Sequence, residues 1–402
     1  MQCSTSDTPS RAGRTRRRAV SAKALPSCAA HHIPAIATDG HSAQDRAGVR
    51  KDLFTRRRLL RDAYALGAVL GGASLFAACS VATTPTSRPA PTQASLPPPE
   101  TSTLRIAGVS ACDPWAWMCE PYLRDEGFTD VVYPAEKGSH LFTTYSHFLV
   151  TGNDAGLPHI AVAPLHTGCV ELWVRPPVER FNDIRGRTVV IGRKTYTDES
   201  GISAPDLFYG FWVSLLADVG MNTGDVTFLE TGNSNTVPAE FVGGKGDAIV
   251  VLAAQGPILK ANAKNPGRLL LDTTLDRPWS QRVCCMLAAD PGWAKSNPAA
   301  LRRATRAILR TLDELSRDKT AGGRIAIEKG IYKNNPAFTE KVINEVNEHA
   351  HLDWREFDPE DTLRYYALRL AEGKLIRKTP QQVIADATDF AWFRQLQKEL
   401  KP

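Results

Sequence analysis

The stretch DRPWSQRVCCMLAA, residues 276–289, decides the fold of this 402-residue chain. A leucine-rich run, residues 268–271, precedes it, and residues 283–289 are apolar, so each run has the length and composition of a β-strand. A polar turn with Pro278 and one large aromatic side chain, Trp279, separates the two runs. We therefore predict that the chain crosses here from one sheet to another.

Two further strings extend this interpretation: LHTGCVEL, residues 165–172, and WREFDPEDTLRYYALRL, residues 354–370. With residues 276–289 they resemble the substrate-binding proteins of ABC importers, in the branch for nitrate, sulfonate, taurine and thiamine precursors. The resemblance extends over about residues 103–400. It implies an α/β protein with the two-lobed, type II periplasmic-binding-protein-like fold. Each lobe would be a mostly parallel sheet flanked by helices, with a ligand cleft at the hinge.

The charge of the chain is unevenly distributed. Its formal net charge is +6, yet residues 1–79 hold 13 Lys and Arg against 5 Asp and Glu, so residues 80–402 carry −2. A basic excess confined to the leader indicates targeting and argues against a nucleic-acid partner. The length exceeds the ~250–300 residues at which single cores usually stop growing, which favours two domains.

The first 102 residues are interpreted as a leader and a tether. Residues 55–61, TRRRLLR, precede an apolar run of about 16 residues, shorter than the ~20 of a spanning helix and typical of a twin-arginine signal peptide. Residues 75–79, LFAAC, resemble a lipobox with Cys79 as the lipidated residue, although Phe76 stands where Leu is preferred. The alternative is an uncleaved anchor or a buried helix. Residues 1–50 are either a disordered extension or precede a translation start near Val49, and we favour the second. Residues 80–102 form a Pro-rich tether.

The remaining chain is divided between two lobes. Residues 103–177 and about 276–402 form lobe 1, and residues 178–275 form lobe 2. Lobe 1 opens with a strand at 103–109, a helix at 115–126 and a strand at 130–133, a βαβ unit. Relatives have a further helix before the next strand, whereas here residues 134–140 lead almost directly into residues 141–149. A helix absent at that point would leave one face of the sheet less covered.

Lobe 2 contains a predicted helix over residues 206–219, with Ser203 as its N-cap and Pro205 in its first turn. The N-terminus of such a helix suits an anion. Asp198 and Glu199 lie in the loop before it, where relatives have small neutral residues. These carboxylates favour a neutral, cationic or zwitterionic ligand, unless both are solvated loop charges.

Ligands of parallel sheets gather at the carboxyl ends of strands, which points to residues 110–115, and the crossing at 276–282, as a hinge loop, offers further candidates. Trp115 and Trp279 offer rings for stacking, and Arg277 can pair with a carboxylate. The alternative roles are packed aromatics, a salt-bridged arginine and, for His166, a buried strand histidine. The candidate ligand-binding residues are Cys112, Asp113, Trp115, His166, Ser200, Gly201, Arg277 and Trp279.

The body of the chain beyond Cys79 contains five further cysteines: Cys112, Cys119, Cys169, Cys284 and Cys285. An oxidising compartment permits disulfides, and an odd number leaves at least one thiol over. Cys169 can pair with Cys112 or with a member of the adjacent 284–285 pair, or all are small buried hydrophobic residues. The adjacent pair lacks the spaced partner of a metal motif, so no metal site and no cofactor are predicted.

These features favour an exported, lipid-tethered solute-binding protein rather than an enzyme. It would capture a small organic solute between its lobes and deliver it to the permease and ATPase subunits of an ABC importer, contacting the membrane only through its lipid. No nucleophile and base pair is apparent in the sequence. Two alternatives remain: a sensory or interaction lipoprotein with a degenerate cleft, and an enzyme resembling eukaryotic pyrimidine-precursor synthases, whose histidine and cysteine-rich motif this chain does not reproduce.

Overall fold

The computed structural model of the chain describes residues 96–107, 113–135, 137–198, 201–260, 267–333, 339–347 and 354–400. The expected signal peptide, Cys79 and the tether up to residue 95 lie outside the described residues. All described residues belong to one compact unit. No helix among them combines the length and the apolar character needed to cross a membrane.

The described strands are β1 (Thr103–Ala107), β2 (Asp130–Ala135), β3 (Leu141–Tyr145), β4 (Ile160–Thr167), β5 (Val170–Val174), β6 (Thr188–Ile191), β7 (Thr195–Thr197), β8 (Ser203–Pro205), β9 (Thr227–Glu230), β10 (Ala248–Leu252), β11 (Arg268–Asp272) and β12 (Val283–Ala289).

The described α-helices are α1 (Trp115–Met118), α2 (Glu120–Asp125), α3 (Ser146–Ala155), α4 (Leu207–Asp218), α5 (Val237–Val242), α6 (Gly256–Lys260), α7 (Pro291–Ser296), α8 (Pro298–Arg317), α9 (Ala321–Glu328), α10 (Glu340–Val346), α11 (Pro359–Glu372), α12 (Pro380–Ala387) and α13 (Ala391–Glu399).

Two five-stranded sheets organise these elements. The first sheet has the order β2-β1-β3-β12-β4, and the second has the order β11-β5-β10-β6-β9. Strands β1, β2 and β3 are parallel, as are β6, β9 and β10, whereas β12 in the first sheet and β5 in the second are antiparallel to their neighbours. The predicted α/β class with two mostly parallel sheets is confirmed.

The two antiparallel strands are the ones that have just arrived from the other sheet. Strand β12 starts at Val283 beside Thr167, the last residue of β4, and β5 starts at Val170 beside Leu252, the last residue of β10. Both arriving strands enter at the edge where the parallel strands end. A strand entering at that edge must run in the opposite direction, so antiparallel pairing is the geometric consequence of crossing there.

The chain passes between the sheets twice among the described residues. The first crossing consists of Gly168 and Cys169, between β4 and β5, and the second crossing consists of residues 273–282, between β11 and β12. The second confirms the crossing predicted from residues 276–289. The first falls earlier than the lobe boundary expected at residue 177, because β5 already pairs with β10 and β11.

Three local predictions are corrected. Residues 141–149 are not one strand: β3 ends at Tyr145, and α3 follows at once and packs on α4, α11 and β12, so that the sheet does receive a covering helix. Ser203 lies on β8 rather than capping a helix, and the carboxylate of Asp206 caps α4 instead by accepting a hydrogen bond from the backbone N–H of Phe208. The helix expected at 115–126 is divided into α1 and α2 at Cys119.

Candidate functional site

The first crossing is the shorter of the two and has an unusual backbone. Gly168 and Cys169 both have positive φ, 82° and 68°. Glycine adopts this conformation readily, but for a cysteine it is uncommon and costs about 1 kcal/mol or more. The carbonyl of Cys169 accepts a hydrogen bond from the N–H of Ala253 at 2.9 Å, which holds the turn against the end of β10. The cysteine is therefore held in a conformation that needs support from its surroundings.

The second crossing is longer and is fastened to the first. The Thr273 hydroxyl donates to the carbonyl of Val170 at 2.8 Å and accepts from the N–H of the same residue at 3.0 Å. The chain then passes a cis peptide bond before Pro278 and a short 3₁₀ turn, Trp279–Gln281. At its far end, the Ser146 hydroxyl donates to the carbonyl of Val283 at 2.7 Å. Both ends of this crossing are thus anchored by side-chain hydrogen bonds.

A small cavity lies between the two crossings. Its volume is about 10 Å³, room for roughly one water molecule. It is lined by Gly168, Val170, Phe211, Thr273, Trp279, Arg282, Cys284 and Tyr366. These residues come from both crossings, from the first residues of β5 and β12, and from helices α4 and α11. The cavity therefore lies at the edge where the parallel strands of both sheets end, the usual ligand position in α/β sheets.

Aromatic rings form one wall of the cavity. Trp279, 8% exposed, packs against Phe211 of α4 with ring centroids 6.0 Å apart and against Tyr365 of α11 at 5.7 Å in an edge-to-face arrangement. Tyr365 in turn contacts Tyr366 at 5.2 Å. If the Trp279 side chain moved aside, a planar or apolar solute in its place would contact the rings of Phe211 and Tyr365.

Arg282 supplies the positive charge of the cavity. Its guanidinium carbon lies 3.3 Å from the ring centroid of Tyr365. Its Nε is buried and has no hydrogen-bond partner in the part of the chain that the structure describes. A buried donor without an acceptor is destabilising, and a bound group with an oxygen acceptor would relieve this.

His147 packs against two of the aromatic residues that line the cavity. It is the second residue of α3, and its ring packs on Phe211 with ring centroids 5.2 Å apart and on Tyr366 at 5.5 Å. Nε2 lies 3.0 Å from the carbonyl oxygen of Leu207, to which the protonated nitrogen donates. Burial lowers the pKa of His147 to about 3, because the charged imidazole loses its hydration. This histidine is therefore neutral at ordinary pH.

A second buried group lies at the end of β4. Nε2 of His166 is 3.3 Å from Oδ1 of Asp113, and the same oxygen accepts from Nε1 of Trp115 at 3.3 Å. All three side chains are at most 1% exposed. The structure therefore brings three predicted ligand residues together, but it places Trp115 in the core of the first lobe rather than on the cavity.

The other predicted ligand residues are dispersed. Arg277 is exposed, and Gly201 is an exposed turn glycine with φ of 86° between β7 and β8. Cys112 and Ser200 lie outside the described residues. Trp279 is the predicted residue that lines the cavity.

The described part of the loop from which the charge of the ligand was predicted does not line the cavity. Asp198 accepts a hydrogen bond from the N–H of Ile202 at 2.8 Å within its own turn and does not line the cavity, while Glu199 lies outside the described residues. The N-terminus of α4 is occupied by Asp206, whose Oδ2 accepts from Nε of Arg193 at 3.2 Å. Burial raises the pKa of Asp206. Its carboxylate takes the position that an external anion would need at this helix.

Sequence reasoning did not select several cavity residues that were present in the strings it quoted. Arg282 and Cys284 belong to residues 276–289, and Tyr366 belongs to residues 354–370. Both strings had already been selected as diagnostic of the fold, so their other polar and aromatic residues could also have been considered as ligand residues. Phe211 had no such signal, because it lies on an apolar helix where every aromatic residue has the same pattern.

Comparisons with known proteins bear on the fold. No protein-family model matches the chain, and no curated protein matches it by sequence. Among solved structures, the periplasmic sulfonate-binding protein SsuA of Methylobacillus flagellatus KT matches with a TM-score of 0.52 and 17% identity, over 74% of this chain and 94% of that protein.

Two further structures match over similar lengths. The nitrate-binding protein NrtA of Synechocystis PCC 6803 has a TM-score of 0.54 and 12% identity, over 76% of this chain and 90% of that protein. The alkanesulfonate-binding protein SsuA of Xanthomonas axonopodis pv. citri, bound to MOPS, has a TM-score of 0.52 and 13% identity, over 73% and 99%. The chain therefore has the two-sheet fold of the periplasmic solute-binding proteins.

Proposed function

We propose that this protein is an extracytoplasmic solute-binding protein that captures a small organic molecule between its two sheets. The observation that carries the proposal is the cavity at the two crossings, lined by Trp279 and Arg282 from the second crossing and by Phe211 from α4. The position is the one at which α/β sheets bind ligands. The matched structures are binding proteins, which supports binding rather than catalysis.

The lining favours a particular class of solute. Aromatic rings provide an apolar surface, and the buried Nε of Arg282 requires an oxygen acceptor. No carboxylate lines the cavity among the described residues. We therefore propose a solute with an apolar or planar body and one acceptor group, such as a carbonyl, carboxylate or sulfonate. A zwitterion meets this requirement, whereas a solute that is only cationic does not.

The cavity is too small to admit such a solute as it stands, so binding requires the crossings to flex. Opening would separate Trp279 from Phe211 and Tyr365, which lie on different elements. Closure around the solute would then replace these contacts. Ligand-driven closure about a few backbone positions is a common mechanism of two-lobed binding proteins.

Delivery to an ABC permease and its ATPase is the proposed next step, with the leader exporting the chain and lipidated Cys79 tethering it. The name of the matched Methylobacillus flagellatus KT structure assigns that protein to a sulfonate ABC transporter, which supports the delivery step. Four features of the sequence support it here: the paired arginines at residues 56–58, the apolar run, the lipobox-like residues 75–79 and the Pro-rich tether.

The test is native mass spectrometry of the full chain, exported by its own leader and released gently from membranes. We expect a bound organic molecule of defined mass that disappears on denaturation. The same sample should gain thermal stability from a panel of alkanesulfonates, aromatic carboxylates and zwitterionic amino acids. Protein that carries nothing and is stabilised by no member of the panel would contradict the proposal.

The small volume of the cavity favours one second candidate, an interaction or sensory lipoprotein without a solute. In that case Trp279 fills the position permanently, and the closed arrangement is the only functional state. The absence of any solute in the mass-spectrometric experiment, together with co-purification of a protein partner that is not a permease, would favour this candidate.

A further inference from the structure

Four side chains with metal-binding atoms converge at the start of β12. Sγ of Cys285 lies 3.8 Å from Sγ of Cys169 and 3.9 Å from Sγ of Cys284. A nitrogen of His166 lies within 4.8 Å of the sulfurs of Cys169 and Cys285, whereas Cys284 contacts these two sulfurs without being part of that group. His166, Cys169 and Cys285 are at most 1% exposed, and Cys284 is 7% exposed. The group is therefore assembled inside the protein.

The sulfur separations are those of a thiolate metal site. Two thiolates at about 2.3 Å from one tetrahedral ion are separated by roughly 3.8 Å. Cys285 meets this distance with both Cys169 and Cys284. Cys169 and Cys284 are closer, at 2.7 Å, so that joint ligation requires one of them to move by about 1 Å. Cys284 also lines the cavity, so that the cavity and the sulfur group adjoin.

The backbone at the first crossing is consistent with this role. Cys169 is one of two non-glycine residues with positive φ among those the structure describes, and its carbonyl is tied to Ala253. A conformation of this kind persists only where the surroundings stabilise it, and it is concentrated at functional sites. Here the sulfur of Cys169, in the first crossing, lies beside the sulfurs of Cys284 and Cys285, which follow the second crossing.

Each ring nitrogen of His166 faces an oxygen acceptor, and a neutral imidazole can donate from one nitrogen while the other ligates a metal. Nε2 faces Oδ1 of Asp113, and Nδ1 lies 3.1 Å from the carbonyl oxygen of Thr167. A neutral imidazole can donate from one nitrogen only. When Nε2 donates to Asp113, Nδ1 presents a lone pair, and ligation would replace its contact with Thr167. A carboxylate that accepts from the second nitrogen is the usual support of a metal-bound histidine.

We propose that His166, Cys169 and Cys285 bind one thiophilic d¹⁰ metal ion, zinc(II) or copper(I), that joins the two crossings, with Cys284 as the fourth ligand once it has moved away from Cys169. Thiolate and imidazole ligands suit both ions, and three cysteines with one histidine are an established set for structural zinc. The proposal does not depend on the solute. Bound metal would hold the first crossing to the start of β12 while leaving Trp279 and Arg282 able to move.

The test begins with the metal content of the full chain, exported and purified without reductant or chelator. We expect close to one zinc or copper per chain by elemental analysis, which also identifies the ion. Denaturation should then release thiols that were protected from alkylation in the folded protein. Exchange with Co²⁺ should give the intense visible bands and the near-ultraviolet charge-transfer bands of tetrahedral thiolate coordination.

Two variants locate the site. Cys285→Ala should reduce the metal content at least tenfold and abolish the cobalt spectrum. The control is Cys119→Ala, which should leave both unchanged, because Cys119 is a buried cysteine between α1 and α2 whose sulfur contacts the carbonyl of Ala116. If Cys285→Ala does not fold, His166→Gln serves in its place, and the measurement on the unmodified chain stands by itself.

Disulfide formation is the competing outcome. The 2.7 Å separation of Cys169 and Cys284 allows an oxidant of the exporting compartment to remove two electrons and two protons and join the two sulfurs. Peptide mapping that finds a Cys169 to Cys284 disulfide in metal-free protein would overturn the proposal. Reduced protein that takes up neither zinc nor copper would overturn it equally, and neither result would affect the solute-binding experiment.

Discussion

The two crossings join the same pair of sheets but differ in nearly every local property. The first has two residues, both with positive φ, and contributes Cys169 to a buried sulfur group. The second has ten residues, a cis peptide bond and a 3₁₀ turn, and contributes Trp279 and Arg282 to the cavity. The short crossing has little freedom to change, whereas the long one carries the side chains that the proposed opening would move.

This difference teaches that two connections between the same sheets can serve different purposes. The Thr273 hydroxyl hydrogen-bonds to both polar backbone groups of Val170, the residue that follows the first crossing, and so holds the two crossings together at that point. Beyond Thr273 the second crossing is held at its far end by Ser146 through the carbonyl of Val283. The part between these anchors is where we expect the difference between a bound and an empty protein to lie.

Acid should disturb the second crossing through His147, and this is the largest effect we expect. The pKa of His147 is lowered to about 3, so the unfolded chain binds a proton below pH ~6.5 while the folded chain does not. Stability is therefore complete above pH ~6.5 and is lost as the pH falls towards 3, by up to about 5 kcal/mol. Urea unfolding at a series of pH values measures this slope.

The matched variant is His147→Gln, which keeps a donor for the carbonyl of Leu207 and removes the titrating group. The slope should become shallower without disappearing, because burial also lowers the pKa of His159, to about 4. An unchanged slope would show that His147 is not the group responsible.

Replacing Trp279 by alanine should have the next largest effect. Trp279 is 8% exposed and packs on Phe211 and Tyr365, so its loss should destabilise the protein by about 3–5 kcal/mol and weaken solute binding at least tenfold, ~1.4 kcal/mol. Leu275→Ala is the control in the same crossing, since Leu275 is 63% exposed and should change stability by less than about 0.5 kcal/mol. Denaturation and calorimetric titration with the identified solute measure the two quantities. Equal effects of the two variants would remove Trp279 from the site.

The two arginines of the second crossing differ in exposure, and their substitution should have the smallest of these effects. Arg282→Ala should weaken binding of an acceptor-bearing solute by about 1.5–3 kcal/mol, because Arg282 lines the cavity with a buried donor. Arg277→Ala should change affinity less than about twofold, because Arg277 is exposed. Titration of both variants with the same solute decides between them. A larger loss from Arg277→Ala would mean that the solute binds outside the cavity described here.

Much of the fold was predictable because its signals are local. Alternation of polar and apolar residues predicted β1, and runs of apolar residues predicted β2, β11 and β12. The polar turn between the last two predicted the second crossing. The errors occurred where two local signals competed. Residues 141–149 have a continuous apolar pattern that a strand and a buried helix share, and only packing on α4 and α11 selects a helix after Tyr145. Ser203 and Asp206 are both good caps, and the pairing of β8 with β7 decided for Asp206.

The candidate site was predictable only in part. Trp279 was selected because a single aromatic residue in a turn is conspicuous, but Arg277 and Arg282 have equal claims in the sequence. The 3₁₀ turn and the ring of Tyr365 place Arg282 on the cavity and leave Arg277 in solvent. The direction of a side chain in a turn depends on backbone geometry that composition does not express.

By itself, then, the sequence determined where several of the strands form, where the chain crosses for the second time, and that residues 1–79 differ in charge from residues 80–402. The tertiary structure alone decided which side chains meet. Cys169 and Cys284 are 115 residues apart and lie 2.7 Å from each other, and the adjacent cysteine pair gains His166 from β4 as a neighbour. Periodicity reports on neighbours along the chain, whereas a site assembled from two crossings depends on how the sheets that they join pack together.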